Sequence, residues 1–219
     1  MKSTENQDYI PALKFHWLTR LYDPSLWGMK EVAFKGHLVR QANLMPEQRI
    51  LDLACGTGTL TLMLKQAQPN AEVIGLDADP NILSIARNKA EEQQVALTFR
   101  QGMSCELPFE DNHLDHVFSS LFFHHLTREM KRSTIQELLR TLRPGGEVHI
   151  IDFGKPHNVV MRAAFFTVQL LDGFETTADH VTDVLPELLK DTGFENVRPI
   201  GDFKTRAGSL RAYSARKPA

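Results

Sequence analysis

Apolar positions along the 219-residue chain change rhythm twice. From Ile10, the residues Ile10, Leu13, Trp17, Leu18 and Leu21 recur at helical spacing, which predicts an amphipathic helix ended by Asp23-Pro24. A less regular helix is expected from about Met29 to Leu44. From Arg49 onward, short apolar runs alternate with helical stretches. Strands are expected at Ile50 to Leu53, Glu72 to Leu76, Val95 to Gln101 and Leu114 to Ser120; helices run from about Gly58 to Gln66, from Pro80 to Glu92, and after Thr127. Pro80 suits the first position of its helix, where an N–H would have no partner. In the helix after Thr127, Met130, Thr134, Leu138 and Leu142 share one face, and Arg143-Pro144-Gly145-Gly146 stops it. A type II turn there needs positive φ at its third position, which is Gly145. Glu147 to Phe153 follows as the fifth strand.

Beyond Phe153 the pattern gives two helices, roughly His157 to Phe174 and Thr182 to Thr192, with Gly193 ending the second. Asn196 to Lys204 and Ser209 to Lys217 then lie close enough to pair as an antiparallel hairpin. Apolar strands that alternate with helices imply a parallel sheet covered on both faces. The expected fold is α/β and Rossmann-like: a seven-stranded, mainly parallel sheet with an antiparallel C-terminal hairpin and helices on both faces. A single domain is expected overall, with residues 1–45 forming a helical cap on residues 46–219.

Composition narrows the partners. The chain is 42% hydrophobic and 24% charged with a formal net charge of -2, the balance of an ordinary globular protein. No block of Lys or Arg is long enough to neutralise a run of phosphates, which argues against nucleic acid. Cys55 and Cys105 are too few for a disulfide framework or an all-cysteine metal site. The first fifteen residues lack the continuous apolar core of a signal peptide. The greasiest stretch, Val159 to Phe174, is interrupted by Arg162, Thr167 and Gln169. A cytoplasmic protein without a membrane span is expected.

The segment RILDLACGTGTLTLML, from Arg49 to Leu64, carries the chemistry: an apolar strand ending in an acid, a glycine turn, then a helix. A dinucleotide-binding turn would place a third small residue where Thr61 stands. A phosphate loop would need a lysine directly after its glycines, and none occurs before Lys65. Asp52 lies about where a phosphate would approach the helix terminus, so it repels an anion and attracts a cation. Asp77, about twenty residues past the turn, is placed to accept both ribose hydroxyls. S-adenosylmethionine, with its amino group, its adenosine and no phosphate, meets these demands.

Asp52-x-Ala54-x-Gly56-x-Gly58 together with Asp77 resembles the first two motifs of class I S-adenosylmethionine-dependent methyltransferases. From Arg49 to Phe194, QGMSCELPFEDNHLDHVFSS and LRTLRPGGEVHIIDF continue the likeness. The small-molecule branch, near the quinone-biosynthesis C-methyltransferases, is most similar. That branch usually ends its third strand Gly-Asp-Ala, with the Asp bonding the adenine amino group. Here Gly102-Met103-Ser104 stands instead, which leaves adenine to the Met103 backbone, to its thioether, or to the Ser104 hydroxyl. The family also usually carries Gly where Ala54 stands. Ala78, beside Asp77, and Ser119, at the end of the fourth strand, complete the cofactor-binding set that the resemblance implies.

His124 and His125 follow the fourth strand, and Asp152 ends the fifth; these are the candidates for a general base. The bland alternatives are capping or packing for the histidines, and for Asp152 a loop acid paired with Lys155. Adjacent histidines diverge in direction, and no further ligand at helical spacing completes a metal site, so none is expected. Phe165 and Phe166 sit in a helix apolar nearly all round, which serves as core, as a self-association face in a homodimer, or as a lid over an apolar acceptor. Tyr22, Trp27 and His16 face the same choice between packing and the site. Ser119-Ser120-Leu121-Phe122 replaces the Asn/Asp-Pro-Pro-Tyr/Phe typical of enzymes that methylate base amines or glutamine, so a small, apolar or aromatic acceptor is expected. Two rivals stand beside this reading. An NAD-linked oxidoreductase would use the same turn and Asp77, but Thr61 and Asp52 disfavour it. A non-catalytic partner protein keeping the fold is left open by Met103.

Overall fold

The computed structural model describes residues 24–154, 184–205 and 208–219. The expected helices at Ile10 to Leu21 and His157 to Phe174, and with them His16, Tyr22, Lys155, Phe165 and Phe166, lie outside the described residues, as does the side chain of Trp27.

In chain order the elements are α1 (Pro24–Gln41), β1 (Arg49–Leu53), α2 (Thr59–Ala67), β2 (Glu72–Asp77), α3 (Pro80–Glu92), β3 (Thr98–Gln101) and β4 (Leu114–Ser120). A short 3-10 turn (Phe123–His125) and α4 (Arg128–Thr141) follow, then β5 (Leu142–Phe153), α5 (Val184–Thr192), β6 (Glu195–Thr205) and β7 (Gly208–Arg216). The seven strands form one sheet in the order β3-β2-β1-β4-β5-β7-β6. β1 to β5 pair in parallel, while β7 runs antiparallel between β5 and β6. The expected sheet and its C-terminal hairpin are present.

Alternate residues of each central strand feed two cores, as the period of two requires. Leu51, Leu53, Ile74, Leu76, Val117, Val148 and Ile150 pack with Ile135 and Leu138 of α4 and with Leu185, Leu188 and Leu189 of α5. On the other face Ile50, Val73, Phe118, Ile151 and Phe153 meet Phe34, Leu38 and Val39 of α1 and Leu60 and Leu64 of α2. A helix on each face explains why these strands read as continuous apolar runs rather than alternating ones.

Three boundaries differ from expectation. The helix expected at Met29 to Leu44 begins at Pro24 and ends at Gln41. The third strand starts at Thr98 rather than Val95, because the Val95 N–H closes α3 on the Ala90 carbonyl and Gln94 takes a φ of 56°. Leu142 leaves the helix face assigned to it and pairs with Leu114 as the first residue of β5. The next paired residues are His116 and Glu147, so Arg143 to Gly146 bulge out within the strand. Gly145 takes a φ of 77°, the left-handed value expected of it. Arg143 ties the bulge down through Nη1 to Asp115 Oδ1 at 2.7 Å.

Candidate functional site

Every parallel strand ends on the same side of the sheet, and strand order reverses between β1 and β4, the place where open α/β sheets form a ligand crevice. The turn after β1 is built from alternating left-handed residues: Ala54, Gly56 and Gly58 have φ of 55°, 54° and 75°. The Cys55 N–H donates to the Leu76 carbonyl at 3.0 Å and the Gly58 N–H to the Cys55 carbonyl at 3.0 Å, which locks the turn against β2. A Cβ on Gly58 would sit 3.1 Å from the Ala86 Cβ and 3.2 Å from the Phe99 ring. A Cβ on Gly56 would meet nothing within 4 Å. The first glycine therefore keeps space open for a ligand; the second lets α2 and its neighbours approach.

Asp52 is 1% exposed and accepts the Thr61 hydroxyl at 2.6 Å. This explains the threonine that spoils a dinucleotide motif, since a glycine or alanine there would leave the buried carboxyl without its donor. Burial pushes the Asp52 carboxyl up to about 6, and the Thr61 bond and the charge of Lys35 pull against it. Asp77 stands at the end of β2, with Oδ2 accepting the Gly56 N–H at 2.9 Å and Oδ1 the Asp79 N–H at 3.0 Å. Its carboxyl also lies above the usual range, because burial outweighs those two bonds. The helix cap before Pro80 is Asp79, which accepts the Asn81 N–H at 2.8 Å.

Between these groups opens a cavity of about 310 Å³. The turn contributes Ala54, Cys55, Gly56 and Thr57; β2 and its sequel contribute Asp77, Ala78 and Ile82; Gly102, Met103 and Ser104 come from the end of β3. Ser120, Leu121, Phe122, His125, Leu126 and Met130 close it from the β4 side, and Glu31 and Lys35 reach it from α1. Of the cofactor-binding candidates, Ala54, Gly56, Asp77, Ala78, Met103 and Ser104 thus line one cavity. Asp52, Gly58 and Ser119 do not line it. The Ser104 hydroxyl is bonded to the Thr134 hydroxyl at 2.9 Å. Sequence reasoning missed Ser120, whose buried hydroxyl has no partner among the described residues, and the pair Glu31 and Lys35. A charged pair four apart on α1 was the available signal for the latter.

The fit to S-adenosylmethionine rests on chemistry present in the chain. A cradle is held open at Gly56, a carboxylate stands at Asp77, apolar walls at Ile82 and Met103 suit a purine, and the Ser120 hydroxyl has no partner among the described residues.

The three catalytic candidates divide. His124 Nδ1 lies 2.8 Å from Asp152 Oδ1, with both side chains buried. Asp152 also accepts the N–H groups of Phe122 at 3.0 Å, His124 at 3.3 Å and Phe153 at 2.7 Å. It is a strand carboxylate that anchors the turn after β4; its alternative, pairing with Lys155, falls on a residue outside the described ones. Only His125 lines the cavity, with its ring centroid 3.8 Å from that of His124.

Among the described residues, one group offers metal-ligand spacing: His116, Glu147 and His149, at the opposite, amino end of β4 and β5. His116 Nδ1 and His149 Nε2 are 3.2 Å apart, a direct hydrogen bond between rings. A metal on His149 Nε2 would force the proton onto Nδ1, which is buried without a partner among the described residues, whereas metal-bound histidines almost always donate that proton. The arrangement is that of a neutral imidazole pair. Burial lowers His116 to about 4 and His149 to about 3.

Comparison with known proteins agrees with this geometry. Residues 50–146 match the family described as Methyltransferase domain. A demethylmenaquinone methyltransferase of Thermus thermophilus is 42% identical over 109 residues, which cover 50% of this chain and 49% of that protein, about half its length. A demethylmenaquinone methyltransferase of Symbiobacterium thermophilum is 31% identical over 207 residues, covering 88% of this chain and 80% of that protein. Among solved structures, phosphoethanolamine N-methyltransferase 2 of Haemonchus contortus, in complex with S-adenosyl-L-methionine, superposes with a TM-score of 0.68 at 19% identity, covering 85% of this chain and 53% of that one. That last likeness concerns the fold. With the glycine turn, Asp77 and the cavity in their expected places, and a relative matched over most of both lengths, the chain belongs to the S-adenosylmethionine-dependent methyltransferase family.

Proposed function

We propose that the chain methylates a small aromatic acceptor of the quinol type, at ring carbon. Two relatives named demethylmenaquinone methyltransferase support the acceptor class. The single structural observation that carries it is the β4-side wall, where Leu121, Phe122, Leu126 and Met130 line the cavity together with His125. That wall suits a flat apolar ring and places an imidazole within reach of a phenolic hydroxyl.

S-adenosylmethionine supplies a methyl group already activated by its sulfonium. The chain's own task is to orient the acceptor, exclude water and take a proton. His125 is the cavity group suited to remove the hydroxyl proton, which makes the ring carbon nucleophilic. His124 and Asp152 hold His125 in position from behind, through the close, tilted contact of the two rings and the bonds to the turn backbone. The cofactor-binding roles follow the cavity: Asp77 for the ribose, Ala78, Met103 and Ser104 around the base, Ala54 and Gly56 for close approach. Asp52 and Gly58 support the turn, and Ser119 backs the β4 wall. Membership of the family sets aside the NAD-linked reading.

The test is methyl transfer from radiolabelled S-adenosylmethionine to a panel of reduced naphthoquinols and benzoquinols beside phosphoethanolamine. Label in the quinol fraction, lost in His125→Ala with S-adenosylhomocysteine affinity retained, is the expected result. Transfer to phosphoethanolamine alone would overturn the acceptor class, and transfer to none with the cofactor bound would favour a non-catalytic partner protein.

A further inference from the structure

Lys35 is 8% exposed, yet its one side-chain partner among the described residues is Glu31, four residues earlier on α1 at 2.5 Å. A pair of this spacing stabilises a helix only slightly. Taking an ammonium out of water costs far more than that unless more than one good partner compensates. The pair therefore does not account for the burial of its own lysine. Both residues line the cavity, beside the glycine turn. A second lysine, Lys89 of α3, donates to the hydroxyls of Thr57 and Thr59 at 3.0 Å each, and it senses the charges of both Glu31 and Lys35. Asp52, under the turn, senses Lys35 as well. These neighbours place the α1 pair over the turn end of the cavity, away from the base-binding wall at Ile82 and Met103.

We propose that Glu31 and Lys35 form a clamp for the amino-acid end of the cofactor, the Lys35 ammonium receiving its carboxylate and the Glu31 carboxylate its ammonium. This rests on S-adenosylmethionine occupying the cavity. A ligand of opposite paired charges gives each member of the clamp a second partner, and the charge-assisted bonds form where water is largely excluded. The clamp lies on α1, outside the β1-to-β2 motifs, so it selects for the zwitterionic tail independently of the adenosine.

Dissection of the ligand tests it. Titrations would compare S-adenosylhomocysteine, its decarboxylated analogue, which keeps the amine, and 5′-methylthioadenosine, which lacks the tail. Lys35→Met is expected to weaken S-adenosylhomocysteine about tenfold or more, the worth of one charged hydrogen bond, while changing the decarboxylated analogue and methylthioadenosine less than about twofold. Glu31→Gln is expected to weaken both amine-bearing ligands and leave methylthioadenosine unchanged. Equal loss for all three ligands in Lys35→Met, or no loss for S-adenosylhomocysteine, would overturn the clamp. Equal loss for the two amine-bearing ligands would also overturn it, since Lys35 would then act through Asp52. Thermal melts of the unliganded variants separate misfolding from these outcomes. If the unaltered chain does not bind S-adenosylhomocysteine at all, the occupancy reading fails instead, which is a different result.

Discussion

At the scale of single residues, two carboxylates of the site do more than the ligand asks of them. Asp77 accepts the N–H groups of Gly56 and Asp79, so it shapes the turn as well as facing the cavity. Asp77→Ala should therefore weaken S-adenosylhomocysteine by about 1.5–3 kcal/mol and also lower the stability of the unliganded protein by about 1–3 kcal/mol, because two N–H groups lose their acceptor. Titration beside a thermal melt checks both halves, and an unchanged melt would show that the turn holds its shape alone. Asp52 is a different case, a buried carboxyl lifted to about 6 in the unliganded chain. The cofactor's positive charges favour its ionised form and lower that value, so the bound state holds fewer protons. Affinity should then rise with pH through about 6 and level off above it, with a proton released on binding near pH 6. Calorimetry in buffers of different ionisation enthalpy measures that release; none would mean that Asp52 does not sense the ligand.

At the scale of elements, the two glycines of the turn offer a matched pair. Gly56→Ala and Gly58→Ala both force alanine into a left-handed conformation, costing roughly 1–2 kcal/mol. Beyond that shared cost, a methyl at Gly58 strikes Ala86 and Phe99, whereas one at Gly56 enters the cavity. Melts should show Gly58→Ala as the more destabilised, and titrations should show Gly56→Ala as the poorer binder; the reverse order would contradict the division of roles. The sequence disclosed this turn because glycine spacing marks backbone geometry directly. It disclosed the sheet because strands buried on both faces carry unbroken apolar runs. Other features were hidden for physical reasons. Asp152 and His124 are 28 residues apart and meet only when β5 lies beside β4. The bulge at Arg143 to Gly146 has the residues of a free turn, and only pairing of Leu142 with Leu114 reveals that the strand has already begun. On α1 the charged and apolar positions do not segregate into a stripe, so the four-residue spacing of Glu31 and Lys35 was a signal without a face to assign it to.

At the scale of the whole molecule, the sheet separates function from stability. Cavity groups gather at the carboxyl ends of β1, β2 and β4, while the buried His116 and His149 pair sits at the amino ends of β4 and β5, facing the same side as Phe118. Among the described residues Asp115, Arg143, Glu147 and Arg198 are the charged groups around that pair; burial, with Arg143 and Arg198 acting the same way, outweighs Asp115 and holds both imidazoles neutral. Their values of about 4 and about 3 lie below the ordinary 6.5, so between pH 6.5 and about 4 the unfolded chain binds more protons than the folded one. Stability from this pair is fully present above pH 6.5 and is lost as pH falls through that window. Asp52, raised to about 6, has the opposite sign there, since its neutral form favours the fold as pH falls. The overall acid limb therefore mixes both, and a difference measurement isolates the histidines. A His116→Leu, His149→Leu double variant keeps the site and removes the pair. Its stability relative to the unaltered chain should improve steadily from pH 6.5 to pH 4 in urea melts, and a pH-independent difference between the two proteins would show that the imidazoles are not buried in their neutral form.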